Sequence, residues 1–219
     1  MGSIYFQQNI MTKGKLISFE GIEGVGKSTS IGSVKKFLEK NQIEVYSTRE
    51  PGGTKYGESL RNILLNNKSK ISPEAELLLI FSIRNQHIQD VIIPKLNSGI
   101  WILCDRYIDA SIAYQGYGKK VSLKKIDMLI KEFTNEIKPD LTIFFDLSYK
   151  KSLQRFPKYK KKDRFENLNN KFFDDVYNGY KKISNQNKSR IKIINASKSK
   201  EDVNNQIILE LKKKFKNLS

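Results

Sequence analysis

Gly21-Ile22-Glu23-Gly24-Val25-Gly26-Lys27-Ser28 decides how this chain is read. The run has the spacing G-x-x-x-x-G-K-[ST]. It follows the apolar stretch Leu16-Ile17-Ser18-Phe19 and opens a segment with helical patterning from Lys27 to about Lys40. Strand, glycine-rich turn and helix form the context in which that spacing makes a phosphate loop. Glycines let the backbone approach phosphate oxygens closely, so that successive N–H groups point into one concavity. The positive end of the following helix dipole lies behind it. Lys27 is placed to reach the terminal phosphates and the Ser28 hydroxyl to ligate Mg²⁺. Gly21, Ile22, Glu23, Gly24, Val25, Gly26, Lys27, Ser28 and Thr29 are therefore the candidate contacts to a nucleoside triphosphate. The loop does not say what receives the phosphate.

Outward from the loop, strand-like and helix-like stretches alternate. Residues 43–48 read as a second strand, ended by the turn chemistry of Glu50-Pro51-Gly52-Gly53. Helical spacing resumes over 54–67. Ser72 followed by Pro73 is an N-cap with proline at the first helical position, opening a helix predicted to run to about Leu96. Residues 99–104 form a near-continuous apolar strand of the kind buried on both faces of a parallel sheet. Short helices follow at 110–114 and 123–136. Further strands are predicted at 139–146 and 191–195, and a last helix at 201–215. This alternation predicts an α/β domain with a central five-stranded parallel sheet flanked by helices, the P-loop NTPase fold.

The 219 residues suit one domain, predicted over 13–219. Apolar residues make up 38% and aromatics 11%, enough to build a core and to exclude a disordered chain. No run of 18 apolar residues occurs, so no membrane helix is expected. Residues 1–12 lack the pattern of a signal peptide and are set aside as a possible tail. The single cysteine, Cys104, cannot form an internal disulfide, which suits the cytoplasm. There are 40 basic against 23 acidic residues, a net charge of +17. Lysine-rich solvated helix faces explain that charge, and so does an anionic ligand such as nucleotide phosphate or nucleic acid.

Asp105-Arg106-Tyr107 follows directly on the apolar strand ending at Cys104. Ligands of open α/β sheets bind at the carboxyl ends of the strands. Asp105 is thereby placed near the metal and Arg106 near the phosphates, where its fork of N–H groups can span donor and acceptor oxygens. The plainer alternative is a helix-capping aspartate beside a surface arginine.

These residues, with Arg49-Glu50-Pro51-Gly52-Gly53-Thr54 and Ser111, Ala113-Tyr114-Gln115-Gly116, resemble the bacterial thymidylate kinases in order and spacing, from about Gly14 to the end of the chain. The resemblance implies phosphorylation of dTMP by Mg-ATP, in dTTP synthesis, by a homodimer acting on neither nucleic acid nor membrane. It implies that Glu23 meets the deoxyribose 3′-hydroxyl and that Arg49, Arg84 and Arg106 hold the dTMP phosphate. Pro51, Ser111, Tyr114 and Gln115 would line the thymidine pocket. Gln115 carries both a donor and an acceptor, as reading a thymine edge requires. On the residues alone, Arg84 reads equally as a helix-surface charge and Tyr114 as core. The family places a stacking phenylalanine four residues before the arginine. Here Ile80 holds that position and the phenylalanine is Phe81.

Residues 155–166 form a basic stretch in which Pro157 breaks the helix. It reads as a lid that closes over phosphates and excludes water, or as a solvated basic loop. In the bacterial type the lid supplies the cation that Gly24-Val25 lacks, which makes Arg155 and Arg164 candidates beside Lys27, Asp105 and Arg106. His87, the one histidine, reads as a helix-surface residue. Two other functions stay open: another small phosphate-loop kinase of nucleotides or deoxynucleosides, and a nucleic-acid-binding protein using ATP as a switch.

Overall fold

The computed structural model describes residues 13–155, 164–165, 167–216 and 218. Five strands, β1 (Leu16–Glu20), β2 (Val45–Arg49), β3 (Trp101–Asp105), β4 (Leu141–Asp146) and β5 (Ile191–Asn195), form one parallel sheet in the order β2-β3-β1-β4-β5. The phosphate-loop strand β1 is central. Phe19 is in register with Asp105 on one side and Ile143 on the other, so the loop after β1 and the Asp105-Arg106 turn after β3 emerge side by side.

Side chains alternate across a strand, and two apolar clusters divide accordingly. Ile17, Phe19, Trp101 and Leu103 join a cluster completed by α1 (Lys27–Lys40), α8 (Asn170–Gln186) and α9 (Lys200–Lys214). Leu16, Ile102 and Cys104 join one completed by α3 (Pro73–His87) and α6 (Leu123–Phe133). The free Cys104 is buried in that second core. The shorter helices are α2 (Lys55–Leu65), α4 (Ile93–Asn97), α5 (Ile108–Ser111) and α7 (Tyr149–Leu153).

Two predicted helices differ from the prediction. The helix opened by Ser72, whose side chain accepts from the Ala75 N–H, continues from α3 through a wide π-type turn at Ile88–Ile92 into α4. Pro94 has no N–H to offer the carbonyl one turn back and its ring crowds that carbonyl, and the wide turn lies where that bond would form. The predicted 110–114 helix is α5 followed by a wide-turn segment, Ile112–Gly118. Tyr114 and Gln115 ride on it. Among the described residues, no helix is long and apolar enough to cross a membrane.

Candidate active site

The phosphate loop spans the gap between Glu20 and Lys27. Gly26, the residue before α1, has φ 101°. A Cβ there would meet nothing within 4 Å, so backbone conformation rather than space demands glycine. The Val25 and Ile22 side chains are buried in the core, which leaves their backbones to face a ligand. Lys27 lies across its own loop, with Nζ 3.2 Å from the Ile22 oxygen and 3.8 Å from Asp105 Oδ1. Burial first, then the Arg106 charge, pull its pKa down, while Asp105, Glu23 and Glu20 oppose them. Phosphate oxygens at this point would restore it.

Arg106 is held in the left-handed region, φ 69°. Its N–H bonds to the Phe19 oxygen at 3.0 Å, and the next N–H, of Tyr107, bonds to Glu20 Oε1 at 2.7 Å. Both anchors belong to β1, so the arginine is pinned to the strand that carries the phosphate loop. Its guanidinium donates to the Gly21 oxygen (2.6 Å), to Glu23 Oε1 (2.6 Å) and to the Tyr114 hydroxyl (3.0 Å), which in turn donates to Glu23. Burial alone would raise the Glu23 carboxyl. The charges of Arg106 and Lys27 and the bonds from Arg106 and Tyr114 outweigh it and hold the group below its usual range. Glu20 is the opposite case: burial first and Asp109 second push it up to about 7, against Tyr180, Arg106 and the Tyr107 amide.

Facing this wall stands a buried cation, Arg84, only 1% exposed. It donates to Glu50 Oε2 (2.6 Å), Ser111 Oγ (3.0 Å) and the Tyr107 oxygen (3.1 Å), and its guanidinium lies 4.8 Å over the Phe81 ring. His87, predicted on the surface, is instead fully buried, between Glu50 Oε1 (3.2 Å) and Thr48 Oγ1 (2.8 Å). Ile80, Arg84 and His87 share one face of α3 at i, i+4 and i+7, and that face meets the end of β2. Burial would raise Glu50, but Arg84 and His87 prevail and lower it. Gly53, φ 86°, leaves room for the imidazole; a Cβ there would sit 2.5 Å from the ring.

These walls enclose one cavity of about 420 Å³, within the range of small-molecule sites. Glu23, Gly24, Lys27 and Ser28 line its phosphate-loop end, with Asp105 and Arg106 beside them. Arg49, Pro51, Ile80 and Arg84 line the opposite side, and Ser111, Tyr114 and Gln115 the floor. Arg49 is exposed and paired to Glu58 at 2.8 Å. Gly21, Gly26 and Thr29 are not in its walls. Phe81, the phenylalanine beside the expected stacking position, lies in the core behind Arg84, and Ile80 takes the cavity position, because one residue along a helix turns the side chain by about 100°. Arg155 is exposed and Arg164 is tethered to Glu76 (2.5 Å) and the Leu64 oxygen (2.6 Å); neither lines the cavity. The rest of the predicted lid, residues 156–163 and 166, lies outside the described residues, as does the tail at 1–12. Glu50, Arg61 and Phe165 line the cavity without having been expected there.

A family model described as thymidylate kinase matches residues 19–207. The chain belongs to the thymidylate kinase family. A thymidylate kinase of Psychrobacter sp. (strain PRwf-1) is 42% identical over 201 residues, covering 90% of this chain and 96% of that protein. One of Vesicomyosocius okutanii is 43% identical over 198 residues, covering 90% and 97%. The crystal structure of the thymidylate kinase from Ehrlichia chaffeensis superposes with a TM-score of 0.72 at 30% identity, over 91% of this chain and 99% of that one. Within the family, the sheet order and the phosphate loop are the P-loop NTPase fold.

Proposed function

We propose that this chain transfers the γ-phosphoryl group of ATP to the 5′-phosphate of dTMP. An acceptor phosphate oxygen forms the new bond to the γ-phosphorus. The bond to the β–γ bridging oxygen breaks, and its electron pair leaves with ADP. The observation that carries this reading is that one cavity joins the phosphate-loop residues Lys27 and Ser28 to Arg106, whose guanidinium bonds to the loop's own Gly21 oxygen, and to Arg84 across from them. Five cations, Lys27, Arg49, Arg61, Arg84 and Arg106, against three anions, Glu23, Glu50 and Asp105, suit two polyphosphate ligands meeting end to end.

A phosphate monoester is largely ionised near neutral pH, its second pKa being about 6. No strong general base is therefore required, and His87, buried on Glu50 and Thr48, is not asked to act as one. Alignment and charge stabilisation remain as the work of the site. In this reading Arg106 and Lys27 neutralise the transferring phosphoryl, and Glu23 accepts from a sugar hydroxyl.

The donor set suits Mg²⁺. Asp105 Oδ1 is buried and accepts no hydrogen bond from a described group, with Lys27 Nζ 3.8 Å away, and Ser28 lines the same cavity. Among the described residues no cluster of three acidic, histidine or cysteine ligands occurs, which fits a hard cation held by one carboxylate plus substrate phosphates. Mg²⁺ bound there would neutralise phosphate oxygens. A homodimer is supported by exposed Leu78 (59%), Met128 (55%) and Phe133 (45%) on α3 and α6, which pack against each other. Sedimentation at twice the chain mass is the expected result.

The test is coupled ADP release with dTMP, dUMP, dCMP, dGMP and thymidine. dTMP should be the preferred acceptor. Preference for thymidine would make this a deoxynucleoside kinase, and ATP hydrolysis stimulated by DNA alone would replace the kinase reading.

A further inference from the structure

Glu76, on α3, is a carboxylate with no exposed surface that neither the phosphate loop nor the Asp105-Arg106 turn uses. Three donors converge on it. Gln115 Nε2 bonds to Oε1 at 3.0 Å, while Lys119 Nζ (2.9 Å) and Arg164 Nη2 (2.5 Å) bond to Oε2. The elements involved are separate: α3, the wide-turn segment carrying Gln115 with Lys119 directly after it, and the far end of the predicted lid. Arg164 is also fixed by its backbone N–H and Nε to the Leu65 and Leu64 oxygens at the end of α2. Phe165, beside it, lines the cavity under the cations of Lys119 and Arg164.

A carboxamide has two faces that look alike in shape and opposite in chemistry. An ionised carboxylate accepts only. Glu76 therefore dictates which way the Gln115 amide lies: the nitrogen turns to Glu76, and the carbonyl oxygen is left for the cavity that Gln115 lines. Among the described residues nothing donates to that oxygen, and it is not among the buried atoms sealed from solvent. It is an acceptor awaiting a donor.

We infer that Glu76 is a specificity-determining positioning residue, which locks the Gln115 carbonyl oxygen toward the acceptor base so that the site takes a pyrimidine with a ring N–H and rejects one with a ring lone pair. This rests on the dTMP-kinase reading. A thymine or uracil ring donates from N3. A cytosine ring presents a lone pair there, and two acceptors face each other with no hydrogen between them. A site with an oriented polar group rejects the wrong partner because the group is then left unpaired.

Glu76→Gln tests this. Lys119 and Arg164 donate only, so they would hold the oxygen of the new amide and turn its NH2 toward Gln115; the Gln115 nitrogen then loses its acceptor and the lock is lost. The ratio of kcat/KM for dTMP to that for dCMP should fall by about tenfold or more, chiefly through KM. The same substitution in a Gln115→Ala background should leave the ratio where Gln115→Ala alone puts it. Should E76Q fail to fold with two cations facing a neutral side chain, the charge-balanced E76Q/K119M carries the same prediction, and K119M alone should keep the wild-type ratio. An unchanged ratio in the folded variants, or equal losses on both nucleotides, overturns the inference and assigns Glu76 to holding the elements together. A wild-type enzyme that does not prefer dTMP at all would instead overturn the dTMP-kinase reading.

Discussion

Replacing Glu50 with Gln separates charge from shape at the acceptor wall. The Glu50 and Arg84 side chains are each 2% exposed and 2.6 Å apart. The substitution keeps the size of the side chain and one acceptor oxygen, but strands a guanidinium without its counter-charge among Ser111, Tyr107 and the Phe81 ring. Removing one partner of a buried ion pair costs about 3–5 kcal/mol. In a domain of this size each kcal/mol moves the midpoint by about 2–4 °C. Glu50→Gln should therefore lower Tm by about 6–20 °C. Adding Arg84→Met removes the stranded charge along with the acceptor contact. The double variant should melt above Glu50→Gln yet phosphorylate dTMP more poorly than wild type. Calorimetry and ADP release on the three proteins read both effects. A Tm for Glu50→Gln within about 2 °C of wild type would refute the claim that Arg84 depends on that carboxylate.

Arg106→Ala should cut turnover by about 10²-fold or more with the fold intact; near-normal steady-state turnover in a protein with wild-type circular dichroism would remove Arg106 from the transfer step. Glu20→Gln should alter how stability depends on pH. The Glu20 pKa, raised to about 7, means that the folded state favours the protonated carboxyl. Its stabilising contribution is full below the unfolded value and is lost as pH climbs through about 7. Glu20 faces the Asp109 carboxylate, the Arg106 guanidinium, the Tyr180 hydroxyl and the Tyr107 amide, and Asp109 is itself paired with Arg190. The Tm of Glu20→Gln should gain on wild type between acidic and mildly alkaline buffer; parallel curves would show that Glu20 does not titrate there.

Much of the fold was legible because its signals are local. The predicted strand at 191–195 matches β5, and the other strands lie within about two residues of their predicted bounds. Residue alternation and the strand–loop–helix context of Lys27 carry that information in short windows. Strand order is not local: nothing in the apolar run 99–104 states that β3 pairs with both β1 and β2. The wide turns at Ile88–Ile92 and Ile112–Gly118 escaped the sequence because they look like ordinary helix in composition. His87 was misplaced because its burial depends on Glu50 and Thr48, some forty residues away, although Ile80, Arg84 and His87 at i, i+4 and i+7 contained the hint that one polar face turns inward. The pairing of Arg164 with a buried carboxylate on α3 was not legible either, since nothing in its basic stretch names that partner. Glu76 left no readable trace, since its three partners come from distant parts of the chain.

The most direct measurement is a crystal structure with dTMP and a non-hydrolysable ATP analogue bound together. The Arg106 guanidinium should lie about 2.7–3.1 Å from an oxygen of the dTMP phosphate, while the amides of residues 21–28 surround the triphosphate. A dTMP phosphate bound away from Arg106, or an Arg106 side chain turned out to bulk solvent, would contradict it.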